Sequence, residues 1–447
     1  MAAASRSQTW NLVTGDVGGQ PGTAAMSRVW IVNHYAGAPD EPSGTRHFDL
    51  ARQLQARGHT VIIFAAGFSN ITYSDERRRG RLLYRTQSVD GVRFVWLWTF
   101  PYRGNGWRRA VNMLSYVATL LAVQTRLPRP DTVVGSTVHP FAAFGAWMVA
   151  RLRRARFLFE IRDLWPQTLV DLGAMRDGSL GERLLRSMEA FLVGHASAVV
   201  TLLPGMRDYL AGRGLPTGHV VYIPNGVDVA AVEPLALAGP GIPAPVARVK
   251  EIVGAKRGEG RFVIAYVGAY GRVNRLDVLV KAATIAEARS PGRISLVMVG
   301  DGAERERLAE MAVGGSAVVG PAVPKRYVPS VLALVDAAVV HATATPVYRY
   351  GVSFNKLFDY MAAGLPVVFA CESAYDPVAA VGAGVSVPPD DPEGIAEAFL
   401  RLADATDGDR ARMGAAGRDY VRREHSIDRL GGLLEAVVRS GRPPADA

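Results

Sequence analysis

One stretch in the C-terminal half combines polar residues with an apolar helical pattern and could bind a diphosphate. The apolar residues of Phe354–Met361 recur at i, i+3, i+4 and i+7, which predicts a helix with one buried face and Ser353 as its candidate N-cap. Asn355, Lys356 and Asp359 lie off that face. A helix N-terminus offers free N–H groups and a positive dipole end, so we expect a diphosphate beside Lys356 and ribose hydroxyls at Asp359. The alternative is that these polar side chains only form a solvated face.

Two further groups of polar residues come directly after predicted strands. Asp131–Gly135 reads as a strand and is followed by STVHPF, which contains His139. Arg156–Glu160 reads as the next strand and is followed by Arg162 and Asp163. Open α/β sheets bind ligands at the carboxyl ends of their strands, so we interpret these as cleft residues, the last two holding a sugar or an acceptor. The alternatives are a structural histidine and an Arg–Asp pair that only fixes a loop.

The elements that must position these residues read as two α/β units, the first of which opens as a doubly wound sheet. A strand at Val29–Asn33, a loop, a helix at Arg46–Arg57 and a further strand open the first unit. Gly44 in the loop could permit a turn, but the loop has no G-x-G-x-x-G, which argues against a dinucleotide oxidoreductase. The second unit starts at Arg261–Gly268. Residues 231–259 before it are rich in Pro, Ala and Gly, which predicts a loose insertion.

Composition narrows the function classes. A chain of 447 residues is long enough for two domains, and a single cysteine, Cys371, excludes an intramolecular disulfide and suits a reducing cytosol. The formal net charge of +10 favours anionic small substrates or an anionic membrane, because no nucleic-acid-binding motif occurs. Spaced Cys/His clusters, a nucleophile elbow and a P-loop are also missing from the sequence. Residues 1–26 lack the apolar core of a signal peptide and read as a disordered tail, and no apolar run is long enough to span a membrane.

The segment Trp107–Val123 is an apolar helix too short to cross a bilayer. It follows an aromatic and basic loop, FPYRGNGWRR, and Trp107 and the two arginines stand at its head. Such a helix could lie in a membrane interface. The alternative is an ordinary core helix of the first domain.

Several motifs resemble the retaining GT-B glycosyltransferases of family 4, over essentially residues 28–440. The main one reads VYRYGVSFNKLFDYMAAGLPVV; here Asp359 takes the place of the second Glu of the family motif, and Gly351 stands at its first acidic position. Others read RGHTV, VGDG and, at the crossing between the domains, IPNGVD. The YGVS-x-NKLFDYMAAG form, STVHPF and EIRDLWPQTLVDLG resemble the subgroup that transfers N-acetylated deoxyhexosamines such as N-acetylfucosamine in O-antigen and capsule assembly. That subgroup also lacks the first Glu.

The resemblance implies a fold of two Rossmann-like doubly wound domains with a cleft between them and a C-terminal crossover helix. We accordingly expect a tail over 1–26, an acceptor-side domain over 27–222, a nucleotide-sugar domain over 223–425, and the crossover helix with a tail over 426–447.

The resemblance also implies roles for individual residues. Ala269 and Asn274 stand where the family has the Arg and Lys that bind the diphosphate, and Arg272 and Arg275 are the nearby candidates to supply that charge. Catalysis falls to His139, Arg162, Asp163 and Lys356. Donor binding falls to Gly44, Arg46, Gly268, Arg272, Arg275, Gly300, Val323, Ser353, Asn355 and Asp359.

Together these observations predict a metal-independent glycosyltransferase that needs no cofactor. It would move a sugar from a nucleotide diphosphate, with UDP favoured, to a polyprenyl-diphosphate-linked or saccharide acceptor with retention, in cell-surface polysaccharide biosynthesis. We expect a cytoplasmic protein with membrane contact through Trp107–Val123 as an option, and no nucleic-acid partner. The alternatives are a GT-B-fold nucleotide-sugar epimerase, which would show no acceptor dependence, and a non-catalytic sugar-nucleotide-binding scaffold.

Overall fold

The N-terminal half of the protein folds around an eight-stranded sheet. The computed structural model describes residues 26–444, except 40–43, 70–72, 76, 78–81, 105, 138, 238 and 240. The strand order is β3-β4-β2-β1-β5-β6-β7-β8, and every neighbouring pair is parallel except β3 with β4. Apolar residues fill most of the parallel strands, as expected for a sheet that is buried on both faces. The strands are β1 (Arg28–Val32), β2 (Thr60–Ala66), β3 (Tyr84–Val89), β4 (Val92–Leu97), β5 (Thr132–Ser136), β6 (Arg156–Ile161), β7 (Ala198–Thr201) and β8 (Val220–Tyr222).

Helices cover both faces of this sheet and bury two apolar cores. One core joins Trp30 and Phe64 of the sheet to Tyr116 and Ala146 of two helices. The other core lies on the opposite face, around Phe94 and neighbouring residues of the first helix. The helices are α1 (Arg46–Ala56), α2 (Trp107–Val123), α3 (Pro140–Arg153), α4 (Gln167–Asp171), α5 (Leu180–His195) and α6 (Met206–Ala211).

The C-terminal half repeats the same plan with a six-stranded sheet. Its order is β11-β10-β9-β12-β13-β14, with all neighbouring pairs parallel. The strands are β9 (Phe262–Val267), β10 (Ile294–Val299), β11 (Ala317–Gly320), β12 (Ala337–His341), β13 (Val367–Ala370) and β14 (Gly384–Val387). The helices are α7 (Ala244–Gly258), α8 (Leu276–Arg289), α9 (Arg305–Met311), α10 (Val328–Leu332), α11 (Asn355–Ala362), α12 (Pro377–Val381), α13 (Pro392–Asp404) and α14 (Asp407–Glu424).

The last helix, α15 (Ile427–Ser440), returns to the N-terminal domain. Its buried residues Leu430 and Leu434 belong to the core that contains Leu54 of α1. Arg57 bonds Asp428 at 2.7 Å, beside the start of the helix. The predicted architecture of two doubly wound α/β domains with a crossover helix is therefore confirmed.

The expectation of a loose insertion over 231–259 is wrong. The second half of that segment is α7, which begins just after Pro243. Val246, Val249 and Val253 recur at helical spacing and are buried against the C-terminal sheet. The Pro, Ala and Gly content suggested a loop. A helix forms all the same, because alanine favours a helix and a proline is tolerated in its first turn. The tail predicted over 1–26 lies outside the described residues, apart from the exposed Met26.

Candidate functional site

The two sheets place their ligand-binding edges on either side of an interdomain cleft. In the first sheet the strand order reverses direction between β1 and β5, and in the second between β9 and β12. Crevices at such reversal points are where open α/β sheets bind ligands. Gly44, in the loop after β1, approaches the start of α11 so closely that a Cβ on it would lie 4.0 Å from Nδ2 of Asn355. The predicted glycine loop and the predicted diphosphate-binding helix therefore face each other.

The N-terminus of α11 opens into this cleft. The helix begins at Asn355, and no side chain of the described residues bonds to its first N–H groups. The prediction of Ser353 as the N-cap is wrong, since Phe354 holds that position. Ser353 instead binds the interdomain segment, because its Oγ accepts from the Asn225 N–H at 2.9 Å and its carbonyl accepts from Asn225 Nδ2 at 2.6 Å. Its hydroxyl thus fixes the hinge and leaves the helix end available for an anion.

Lys356 lies in the first turn of α11 with its ammonium held by two neutral groups. Its Nζ donates to Tyr266 Oη at 2.8 Å and to Asn274 Oδ1 at 2.9 Å. Burial lowers the pKa of Lys356 to about 8. Asn274 occupies the position of the family's diphosphate-binding Lys, and its amide avoids the repulsion that a second ammonium would create there. The sequence did not indicate that Tyr266 and Asn274 position this lysine.

Gly268 and Gly300 allow β9 and β10 to approach Lys356. A Cβ on Gly300 would lie 1.9 Å from the carbonyl oxygen of Gly268, so no side chain fits there. A Cβ on Gly268 would lie 3.6 Å from Cε of Lys356. The two predicted donor-binding glycines thus line the same corner as the lysine, with backbone close to its ammonium.

Asp359 lies one turn further along α11, partly exposed to the cleft. Burial and the neighbouring charge of Asp49 raise its pKa to about 6, although the positive charge of Lys325 opposes this rise. The carboxylate is thus mostly ionised at neutral pH and could accept hydrogen bonds from a diol. Sequence reasoning missed Lys325 and Asp49, which lie on separate elements far from this motif.

The arginines expected to supply charge near the diphosphate are turned toward carboxylates. The side chain of Arg272 is 89 % exposed and faces Glu304 at 3.4 Å. Arg275 pairs with Asp277 at 3.0 Å and with Asp390 at 3.6 Å. Of the three cations predicted near the diphosphate, Lys356 is therefore the one that lies at the N-terminus of α11.

Val323, the residue expected at the nucleobase, is partly buried against the core of the C-terminal domain in the loop after β11.

Arg46 and His47 are bound within a buried ionic cluster around Glu160. Arg46 Nε donates to Glu160 at 3.0 Å, and His47 Nε2 lies 2.6 Å from the other carboxylate oxygen, which also accepts from Ser136 Oγ at 2.6 Å. Burial alone would raise the pKa of Glu160, but His47 and Arg46 outweigh it and hold that pKa well below its usual range. The Arg46 guanidinium also bonds the carbonyl oxygens of Pro224 and Ile223. Arg46 thus ties the helix after the glycine loop to the interdomain hinge, and its role at the donor stays a prediction.

His139 is fully buried at the N-cap of α3, with both ring nitrogens engaged. Nδ1 accepts from the Ala142 N–H at 3.3 Å, so the neutral ring carries its proton on Nε2 and donates it to His34 Nδ1 at 2.9 Å. Burial and the nearby charge of Arg109 lower the pKa of His139 to about 3. The ring is therefore neutral at physiological pH. His34, which the sequence did not single out, lies against it.

Arg162 and Asp163 line a cavity between the domains. The cavity has a volume of about 210 Å³ and ends at Ser353 and Phe354, just before α11. Within the described part of the chain, Nε of Arg162 is buried without a hydrogen-bond partner. Loss of hydration raises the pKa of Asp163, although the positive charge of Arg162 opposes the rise. A larger hollow of about 350 Å³ lies at the opposite end of α11, remote from these groups.

Gly351 forms a close contact between the domains where the family motif has its first acidic residue. Its φ is +102°, and a Cβ there would lie 2.5 Å from Cδ of Pro204. The adjacent Tyr350 carbonyl accepts from the Gly205 N–H at 2.9 Å. A side chain at position 351 would force the domains apart, which explains physically why the first acidic position holds glycine here.

Among the residues that the structure describes, no group of three or more His, Cys, Asp or Glu side chains could hold a metal ion. In the same part of the chain, no helix is both long and apolar enough to cross a membrane.

The sequence matches two family models that together span both domains. Residues 43–226 match a glycosyl transferase 4-like domain, and residues 261–405 match the glycosyl transferases group 1 family. WbjE of Pseudomonas aeruginosa, described as a probable glycosyltransferase, is 23 % identical over 418 residues, which are 90 % of this chain and 95 % of WbjE. WcaI of Escherichia coli, described as a colanic acid biosynthesis glycosyl transferase, is 22 % identical over 273 residues, which are 59 % of this chain and 63 % of WcaI.

Solved glycosyltransferase structures share the fold at low sequence identity. Sucrose-phosphate synthase from Thermosynechococcus elongatus superposes with a TM-score of 0.71 at 16 % identity, over 92 % of this chain and 98 % of that one. A trehalose-6-phosphate protein from E. coli bound to UDP-2-fluoro glucose gives 0.69 at 13 % identity, over 94 % and 100 % of the two chains. Anabaena HepE in complex with UDP and glucose gives 0.63 at 13 % identity, over 93 % and 100 %. The chain thus combines a glycosyl transferase 4-like domain with a glycosyl transferases group 1 domain, and it has the two-domain fold of a GT-B glycosyltransferase.

Proposed function

We propose that this glycosyltransferase takes its sugar from a UDP-sugar whose diphosphate binds at the N-terminus of α11. The observation that carries the proposal is the uncapped helix end with Lys356 and Asp359 in its first two turns, facing Gly44 across the cleft. Free N–H groups and an ammonium suit a diphosphate, and a carboxylate one turn away suits a ribose diol. UDP is favoured because two structural neighbours hold UDP or a UDP-sugar.

In the proposed reaction the chain's own groups stabilise the departing diphosphate without a metal or cofactor. The ammonium of Lys356 has three N–H donors, and its two bonds to Tyr266 and Asn274 leave one for a phosphate oxygen. The bond from the sugar C1 to the diphosphate breaks as the acceptor hydroxyl attacks C1. The hydroxyl proton passes to the departing diphosphate, and attack from the face that the diphosphate leaves retains the anomeric configuration. Fixed N–H dipoles and a held cation are effective because they need no reorganisation during the reaction.

The interdomain cavity is the proposed place for the sugar and the attacking hydroxyl. Arg162 and Asp163 line it with polar groups, while Tyr348 and Phe354 add apolar walls. Polar groups on one side and apolar walls on the other suit a sugar that carries a deoxy or N-acetyl group, as the subgroup resemblance implies. The relative WcaI, whose name places it in colanic acid biosynthesis, supports a role in polysaccharide biosynthesis.

Calorimetric titration with UDP tests the donor site. We expect wild-type protein to bind UDP, and Asp359→Asn to bind it about tenfold or more weakly, because a charge-assisted hydrogen bond contributes roughly 1.5–3 kcal/mol. Asp419→Asn is the matched control, since Asp419 is exposed on α14 and pairs with the exposed Arg422. Failure of the wild type to bind any nucleoside diphosphate would refute the donor site and favour the scaffold alternative. Donor conversion without any acceptor would favour the epimerase.

We further propose that the outer face of α2 contacts an anionic membrane and brings the enzyme to a lipid-linked acceptor. The inner face of the helix is core, with Tyr116 and Leu120 fully buried. On the outer face Trp107 is 72 % exposed and Leu114 is 55 % exposed, and both lie on one helical stripe. The sequence carries no charged residue from Ala110 to Val123, while arginines flank the helix at both ends. An apolar stripe between cationic ends suits the boundary of anionic headgroups and acyl chains.

Vesicle sedimentation tests the membrane contact. Vesicles with an anionic lipid fraction are expected to pellet the wild type, and the double variant Trp107→Ser with Leu114→Ser should stay in solution. Leu180→Ser provides the control, because Leu180 is 84 % exposed on a different helix, α5. Equal sedimentation of the double variant and the wild type would overturn this proposal and leave the donor site unaffected.

A further inference from the structure

Lys325 reaches across the cleft and binds the N-terminal domain. It lies in the turn between β11 and α10, and its Nζ donates to Thr45 Oγ1 at 2.5 Å. Thr45 is buried, directly follows Gly44 and precedes the first residue of α1. Its hydroxyl in turn donates to Asp49 Oδ2 at 2.6 Å. A cation of the donor-side domain is thereby bonded to the loop that approaches α11.

Two carboxylates from opposite domains face this ammonium. Asp49 projects from α1 and Asp359 from α11, and the charge of Lys325 acts on both. Burial raises the pKa of each carboxyl group, and Lys325 lowers both pKa values; Asp49 also raises the pKa of Asp359, and Asp228 raises that of Asp49. Without the ammonium, like charges would face each other across the cleft, which disfavours the closed arrangement.

We propose that Lys325 is a positioning residue that holds the Gly44–Asp49 segment against the N-terminus of α11 and so sets the width of the donor cleft. The identity of the ligand in that cleft rests on the proposed function. The bridge itself does not, because all of its atoms belong to the chain. Lys325 differs in this from Lys356, which bonds only within its own domain among the described residues.

Hydrogen–deuterium exchange on the free protein tests the bridge without any ligand. Lys325→Met keeps an unbranched stem and removes the ammonium, so the Asp49 amide, which bonds the Thr45 carbonyl, and the amides that follow it in α1 should exchange about tenfold or more faster, as expected for loss of a charge-assisted hydrogen bond. Lys325→Arg should restore most of the protection. Lys281→Met, an exposed lysine of α8, is the matched control and should leave α1 unchanged. Unchanged exchange in Lys325→Met would overturn the proposal.

Donor kinetics and a double-mutant cycle test what the bridge does for the site. We expect Lys325→Met to raise the KM for the UDP-sugar about tenfold with little change in kcat, because the residue shapes the cleft and does not touch the reacting atoms. Thr45→Val, which removes the hydroxyl that bonds both Lys325 and Asp49, should act in the same direction, and Thr45→Ser, which keeps the hydroxyl, should not. The combined variant should be no worse than the poorer single variant. If the increases in KM of the two single variants multiply in the combined variant, the two residues share no bond and the bridge is refuted. If the wild type bound no nucleotide, the proposed function would fail, and the exchange experiment would still decide the bridge.

Discussion

Lys356→Met separates binding from stability at the proposed donor site. Methionine keeps the length and unbranched shape of the side chain but removes the ammonium between Tyr266 and Asn274. A charge-assisted hydrogen bond to a phosphate oxygen contributes roughly 1.5–3 kcal/mol, so the Kd for UDP should rise about tenfold to a hundredfold. Calorimetry at pH 7 measures this rise, and Lys281→Met is the control for loss of a positive charge elsewhere on the domain.

The direction of the stability change follows from the pKa of Lys356, which burial lowers from its usual value to about 8. Below pH 8 this lysine stays charged in the folded protein, and burying that charge lowers the free energy of unfolding. That cost disappears as the pH rises toward the unfolded-state value near ~10.4. Removing the ammonium should therefore raise the free energy of unfolding at pH 7 by roughly 3 kcal/mol, and this gain should shrink above pH 8. Urea denaturation at pH 7 and pH 9.5 measures both.

The same pKa predicts how UDP binding by the wild type depends on pH. Above about pH 8 the free protein loses the Lys356 proton, so affinity should fall by up to about tenfold per pH unit. The phosphate groups are already ionised there, since the second phosphate pKa lies near ~6. The Lys356→Met variant should show no such fall. A variant that binds UDP as tightly as the wild type, or that loses stability along with affinity, would refute the assignment of this lysine to the diphosphate.

Two further predictions concern the scaffold around the site. Gly351→Ala places a Cβ 2.5 Å from Pro204 at a φ of +102°. In urea denaturation it should lose roughly 1–3 kcal/mol more stability than the control Gly382→Ala, whose φ is +67° but which has open space around it. Equal losses would show that the domain contact is not tight. Glu160→Gln leaves Arg46 as a buried charge without a counter-ion and should destabilise the protein by roughly 3–5 kcal/mol. The exposed pair partner Glu251→Gln should cost less than about 1 kcal/mol, and a similar cost in both variants would contradict the buried-cluster interpretation.

The sequence alone determined the fold class and the position of α11, the helix of the proposed donor site. Alternating apolar strands and helices predicted a doubly wound sheet, because burial on both faces of a parallel sheet leaves continuous apolar runs that are easy to recognise, and the family resemblance extended this architecture to both domains. The helix after Ser353 was predicted from its apolar stripe, and Lys356 and Asp359 were placed on its open face. These features depend on local periodicity, which a single sequence records directly. The same periodicity also existed in α7, where Pro and Gly content concealed it.

Only the tertiary structure decided which distant residues act together. Local sequence favours Ser353 as a cap, but a bond to Asn225 from the hinge takes its hydroxyl. Arg46 appears next to the glycine loop in the sequence, yet its guanidinium bonds a carboxylate 114 positions away. Lys325 and Thr45 are separated by 280 positions and meet only because the two domains close on each other. Such contacts form where elements pack, and since no local pattern encodes which loop ends will meet across a cleft, the chain's order could not reveal them.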